Sequence, residues 1–98
     1  MIRVLLPRAL RELAGIDGEI ALAVPGEPGT AAVLDMLEAR HPALRGAIRD
    51  PVSGRRRPLL RYFADGRDVS LLDDQAPLPR PVLEGRAPLL VIAAIAGG

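Results

Sequence analysis

Leu89-Leu90-Val91-Ile92-Ala93-Ala94-Ile95 is an unbroken apolar run with no polar alternation, and it constrains the fold more than any other stretch. Such a run reads as a strand covered on both faces, which puts it in the middle of a sheet. It passes into Ala96-Gly97-Gly98, a segment almost without side chains and free to take nearly any backbone angle. From Ile95 to Gly98 an extended chain reaches about 13 Å, enough to enter another protein's active site. The competing reading is a frayed terminus without a role. The remainder of the chain decides between them by showing whether it builds a rigid base for that segment.

Ile2, Val4 and Leu6 alternate with Arg3 and Leu5 up to Pro7, as in a short strand. Leu10 and Leu13 lie one helical turn apart before Gly15, which predicts a helix over 8–15. Ile20, Leu22 and Val24 alternate with Glu19, Ala21 and Ala23 and end at Pro25, a second strand. Nearness in sequence predicts that it pairs antiparallel with the first. Pro25-Gly26-Glu27-Pro28-Gly29 is a loop, and Thr30 follows as the expected N-cap of a helix. Val33, Met36 and Leu37, with Leu34 at the margin, share one face of that helix, and Asp35 and Glu38 lie opposite. His41-Pro42 closes it, because the residue before proline avoids helical angles. A further helical turn is expected over 43–49.

Residues 50–58 contain two prolines, a glycine and Arg55-Arg56-Arg57, and read as an exposed loop. A third strand of uncertain phase spans 59–64, and Asp65-Gly66 predicts a two-residue hairpin turn into a short strand at 67–70. Residues 71–86 read as irregular, and Leu83-Glu84-Gly85 turns the chain into the last strand. An antiparallel hairpin, a crossing helix and a final strand returning to the centre beside the first form the β-grasp arrangement. The expectation is an α+β, ubiquitin-like fold: a mixed sheet of four to five strands with one main helix across it. It is one domain over 1–98 with a flexible Gly-Gly tail at about 95–98.

Several function classes fall away. The chain has no cysteine, which excludes disulfides, thiolate metal sites and thiol nucleophiles. A formal net charge of +1 gives no reason to expect nucleic acid or an anionic membrane as partner. No stretch approaches a membrane span and no secretory-signal pattern opens the chain, so a cytoplasmic location is expected. All thirteen basic residues are Arg. His41, the only histidine, reads as structural at a helix end. Arg55-Arg56-Arg57 reads as a solvated loop, with an acidic partner surface as the next choice. Asp73-Asp74 reads as a surface turn rather than a cation site. No catalytic residue and no metal ligand is assigned.

Taken together, these pieces resemble the small ubiquitin-like sulfur-carrier proteins, the MoaD/ThiS family typified by the molybdopterin synthase small subunit and the thiamine-pathway sulfur carrier. The resemblance runs through Ile2-Arg3-Val4-Leu5, Leu10-Arg11-Glu12-Leu13-Ala14-Gly15, Leu37-Glu38-Ala39-Arg40-His41-Pro42, Asp65-Gly66, Leu83-Glu84-Gly85 and Ala96-Gly97-Gly98. Asp65 stands where the family usually has Asn, Arg86-Ala87-Pro88 where it tends to be acidic, and Ala94 where proline is common. These departures leave the carrier role intact and the pathway open. The resemblance implies that Gly98, read as the free terminus, is the modified residue. A ubiquitin-activating-type adenylating enzyme, holding ATP and magnesium, would activate its carboxyl. A sulfur donor would convert it to a thiocarboxylate, and a sulfur-acceptor enzyme would consume that sulfur, molybdopterin-type placed first. Gly97 and Ala96 would be needed for the tail to enter the partner's active site. The chain itself would bind no cofactor and would not be an enzyme. The alternatives are a β-grasp interaction or regulatory module, and a ubiquitin-like protein modifier without sulfur transfer.

Overall fold

The structure is a computed structural model that describes residues 1–93. Its elements are β1 (Ile2–Leu5), α1 (Arg8–Ala14), β2 (Ile20–Leu22), α2 (Thr30–Arg40), a 3-10 turn (Pro42–Leu44), β3 (Leu60–Ala64), β4 (Arg67–Asp68), α3 (Arg80–Leu83) and β5 (Leu89–Ala93). The sheet runs β2-β1-β5-β3-β4. β1 pairs antiparallel with β2 and parallel with β5, and β5 pairs antiparallel with β3. The last strand is therefore central and beside the first, as the apolar run required. This is a β-grasp sheet of five strands.

Strand alternation divides the sheet into two faces. Ile2, Val4, Ile20, Leu22, Leu60, Tyr62, Leu89 and Val91 point inward and are buried with Val33, Leu34 and Leu37 of α2 and Leu44 and Ile48 beyond it. The opposite face is uncovered: Leu90 is half-buried and Ile92 is 40% exposed. The expectation of a strand covered on both faces is thus corrected. One side of β5 builds the core, and the apolar residues on the other side are left uncovered.

Local chemistry accounts for the boundaries. Gly15 ends α1 in the left-handed region at φ 69°, and its backbone N–H reaches back to the carbonyls of Arg11 and Glu12. His41 ends α2 before Pro42. Asp65 and Gly66 both have positive φ, 52° and 76°, the pair of angles a tight hairpin turn needs. Thr30 is not the N-cap of α2 but its first residue. Gly29 is the cap, and no side chain bonds the free N–H groups. The Asp74 carbonyl instead accepts from the Ala31 N–H at 3.0 Å, and Leu78 N–H donates to Pro28 O at 2.9 Å. The strap 74–78 thus crosses so close to Gly29 that a Cβ there would overlap the Asp74 and Ala76 carbonyl oxygens. Residues 71–86 are not wholly irregular, because α3 forms with Pro79 as its cap and Pro81 in its first turn, where proline is tolerated. The helical turn expected over 43–49 is only the short 3-10 turn at Pro42–Leu44.

Candidate functional site

The point at which β5 hands the chain on to residues 94–98 is the candidate site. Leu89 and Val91 anchor it in the core, with Leu89 opposite Val4 and Val91 opposite Tyr62. Ala93, the last described residue, lies opposite Leu60 at the start of β3. Gly98, Gly97 and Ala96, the expected modified residue and tail, lie outside the described residues, as do Ala94 and Ile95. The structure places their root.

The start of β5 is fixed by a staple that the sequence did not suggest. Arg3 donates from Nε and Nη2 to the Glu19 carboxylate, both at 3.0 Å, and from Nη1 to the Gly85 carbonyl at 3.0 Å. The hydrogen bonds from Arg3 hold the Glu19 carboxyl below its ordinary range. Gly85 also lets the chain pass close to Met1. At φ 76° it lies where L-residues are strained, and a Cβ would sit 2.8 Å from the Met1 carbonyl oxygen.

Two features around the root were missed. The first is an apolar row across the uncovered face: Leu5 is opposite Leu90, and Leu90 is opposite Phe63. All three are half-buried. Ile92 continues the row toward the tail, opposite Arg61. Alternating polar residues would have exposed this face in the sequence, but β3 carries Tyr62 and Phe63 on successive positions, and its phase stayed hidden.

The second is the structural work done by the arginine loop. Arg56 and Arg57 are half-buried, not simply solvated. Arg56 donates from Nη1 to the carbonyls of Leu60 and Arg57, at 2.5 and 3.2 Å, and Arg57 donates from Nε to Gly46 O at 2.9 Å. The Asp50 carboxylate accepts from the Val52 and Ser53 N–H groups, at 2.9 and 2.8 Å. Those backbone bonds hold its carboxyl below the usual range. Arg49 ties the same loop to α2 through Glu38, at 2.9 Å, and Asp35. Burial alone would lower the Arg49 pKa, and the two carboxylates more than offset it. Arg55 alone of the three consecutive arginines is exposed.

Little else in the described residues resembles a reaction centre. They contain no group of three or more His, Cys, Asp or Glu side chains placed to hold a metal ion. Asp73 and Asp74 occupy a turn, where the Asp73 carboxylate accepts from the Gln75 N–H. Burial pushes the Tyr62 phenol up to about 12. No helix among the described residues is long and apolar enough to cross a membrane.

The chain is similar in structure to SAMP1 from Haloferax volcanii, with a TM-score of 0.73 and 21% identity over 98% of this chain and 97% of that one. It is similar to the Amycolatopsis orientalis BexX/CysO complex, TM-score 0.75, with 18% identity over the whole of both chains. A third likeness is to Mycobacterium tuberculosis CysO, described as an antigen, TM-score 0.75, with 21% identity over 97% of this chain and all of that one. The chain has the ubiquitin-like β-grasp fold of these proteins. The resemblance read from the sequence is borne out in the fold, over nearly the whole length of each chain. No family model matches the chain, and no curated protein matches it in sequence.

Proposed function

We propose that the chain is a sulfur carrier whose Gly98 carboxyl group is adenylated and then converted to a thiocarboxylate. The observation that carries this reading is the placement of β5. It lies between β1 and β3, buries Leu89 and Val91, and delivers the chain to Ala93 beside an open apolar face. A tail of Ala96-Gly97-Gly98 rooted there would present a narrow, well-held end to another protein. The structural likeness to small β-grasp proteins, one of them in a complex named BexX/CysO, supports a role exercised on a partner enzyme rather than by this chain alone.

The chemistry follows from the group. A terminal carboxyl with a pKa of about 3.5 is ionised at neutral pH and is a poor electrophile. In the adenylating enzyme its oxygen would attack the α-phosphorus of ATP, forming an acyl-phosphate bond and releasing pyrophosphate. Hydrosulfide supplied by the donor would then attack the acyl carbon, AMP would leave with the bonding pair, and the S–H proton would pass to solvent. The resulting thiocarboxylate is ionised and nucleophilic for the same reason that thiolates are. An acceptor enzyme building a cofactor or metabolite would consume it, with a molybdopterin-type acceptor as first choice.

A second reading, a protein modifier, is favoured by the likeness to structures named small archaeal modifier protein 1. It shares the adenylation step and differs in the acceptor, an amine in place of sulfur. Incubation with ATP, magnesium, sulfide and the source organism's adenylating enzyme, followed by intact-mass spectrometry, separates the readings. A carrier gains the mass difference between sulfur and oxygen. A modifier, incubated with the source organism's cell extract in place of sulfide, appears joined to another chain, and an interaction module is unchanged in both mixtures.

A further inference from the structure

On the helix side of the sheet, the loop 50–58 and the segment 70–74 face each other across a cleft of about 630 Å3. Its lining includes two hydroxyl side chains that are more than nine-tenths buried, Thr30 at 7% exposure and Tyr62 at 5%. Tyr62 reaches Val69 and Ser70 through its backbone alone, by its carbonyl at 2.8 Å and its N–H at 2.7 Å. Neither the Tyr62 hydroxyl nor the Thr30 hydroxyl has a hydrogen-bond partner among the described residues. Buried hydroxyls ordinarily have one, so the cleft holds two polar groups that the chain itself does not use.

The charges of the lining balance. Arg49 is answered by Glu38 and Asp35, which leaves Arg55 and Arg56 on the loop against Asp73 and Asp74 on the segment. None of the ion pairs among the described residues joins these two walls. Arg56 is taken up by the carbonyls of Leu60 and Arg57, so Arg55 is the cation left to a ligand. The Asp73 and Asp74 carboxylates accept only from Gln75. A ligand of one sign would be drawn to one wall and repelled by the other, and a ligand carrying both signs satisfies both. The walls are held in place by backbone bonds. Asp50 N–H donates to Arg55 O at 2.7 Å on one side, and Ala31 N–H donates to Asp74 O at 3.0 Å on the other. Walls already ordered reduce the entropy cost of binding.

We infer that this cleft binds a short zwitterionic peptide, its carboxylate on Arg55 and its ammonium on Asp73 and Asp74. The Thr30 and Tyr62 hydroxyls are partners for the peptide's amide group, since each can donate and accept. Burial outweighs the pull of Arg49 and Arg56 and raises the Tyr62 phenol to about 12, so it keeps its proton at neutral pH. Leu71 and Leu72, exposed in the lining, give apolar side chains of the peptide a surface to cover. The volume lies in the range of pockets that take small ligands. This inference does not rest on the sulfur-carrier reading, and its ligand needs no second protein.

The test is an NMR titration of the isolated chain with three probes. They are leucyl-leucine, its N-acetyl form, which lacks the ammonium, and its C-terminal amide, which lacks the carboxylate. Leucyl-leucine should shift the amide signals of Thr30, Tyr62 and Asp73, and each single-charge form should bind about tenfold more weakly. Two variants locate the contacts. Tyr62→Phe removes a hydroxyl that bonds nothing in the chain, and Arg55→Gln changes an exposed side chain, so both should unfold at the wild-type urea concentration. Each should weaken leucyl-leucine binding about fivefold. Absence of any shift with leucyl-leucine would overturn the site. Equal affinity for the three probes would overturn its choice of a ligand with both charges. Wild-type affinity in both variants would overturn the assigned contacts. Tighter binding by Arg55→Gln would do so as well, since it would mean that Arg55 closes the cleft against Asp73 and Asp74. None of these outcomes bears on the loading of Gly98.

Discussion

Two neighbouring residues of β5 should respond oppositely to the same substitution. Val91 is 3% exposed and faces the core, whereas Ile92 is 40% exposed on the uncovered face. Val91→Ala removes two methyl-sized groups from a buried site, a transfer loss of about 1.6 kcal/mol at about 0.8 kcal/mol each. The residual cavity brings the total to about 2–3 kcal/mol. Ile92→Ala removes more carbon from a site already in contact with water and should cost under about 1 kcal/mol. In a domain stable by about 5–15 kcal/mol, the first change is a large fraction of the whole. Urea unfolding measures both, with equal slopes expected because the area exposed on unfolding is nearly the same. In a loading assay the order reverses. Ile92→Ala should raise KM, since it trims the apolar row, and Val91→Ala should not while the protein is folded. Equal stability costs at the two positions would refute the division of β5 into a core side and an uncovered side.

Gly29→Ala should destabilise by about 1–3 kcal/mol, because its Cβ would overlap the Asp74 and Ala76 carbonyls; a wild-type urea midpoint would show that the strap 74–78 moves freely aside. Tyr62 is the only tyrosine, so phenolate absorbance should titrate near the value of about 12 that burial imposes. Its folded pKa is raised, so the stability it contributes is fully present below about pH 10, the unfolded value, and is lost as pH rises toward 12. A phenolate midpoint at the unfolded value would contradict its burial. Asp50 titrates the other way. Its folded pKa is lowered by the Ser53 and Val52 N–H groups, so its contribution is present above about pH 3.9 and is lost as pH falls below that. Asp50→Asn should flatten the acid limb of a stability–pH curve, and an unchanged limb would deny the carboxylate that role.

Much of the fold was legible because short-range chemistry dictated it. Gly15, His41-Pro42 and Asp65-Gly66 each stop or turn the chain for reasons contained in two residues. The apolar run at 89–95 implied a central strand for a sound reason, but it could not separate two coverings from one covering and one uncovered apolar face. The site around the root was hidden because its acceptors are distant in sequence. Arg3 reaches the carbonyl of Gly85, and Arg57 reaches Gly46. Side chains that bond backbone carbonyls leave no motif, since every residue offers the same acceptor. The cap of α2 was misplaced for a related reason. A strap from residues 74–78, not the Thr30 hydroxyl, satisfies the helix start, and only Gly29 leaves room for it.

The central claim, that Gly98 carries the sulfur, is tested most directly by intact-mass spectrometry. Four proteins would each be incubated with ATP, magnesium, a sulfur donor and the adenylating enzyme: wild type, Gly98 deleted, one residue appended after Gly98, and Gly97→Val. The buried core of the described residues lies entirely before residue 92, so all four should unfold at the same urea concentration. Wild type should gain the mass difference between sulfur and oxygen. The deleted and extended forms should gain nothing, and Gly97→Val should be blocked by its width and restricted backbone angles. Sulfur uptake by the extended protein would contradict a terminal thiocarboxylate on Gly98.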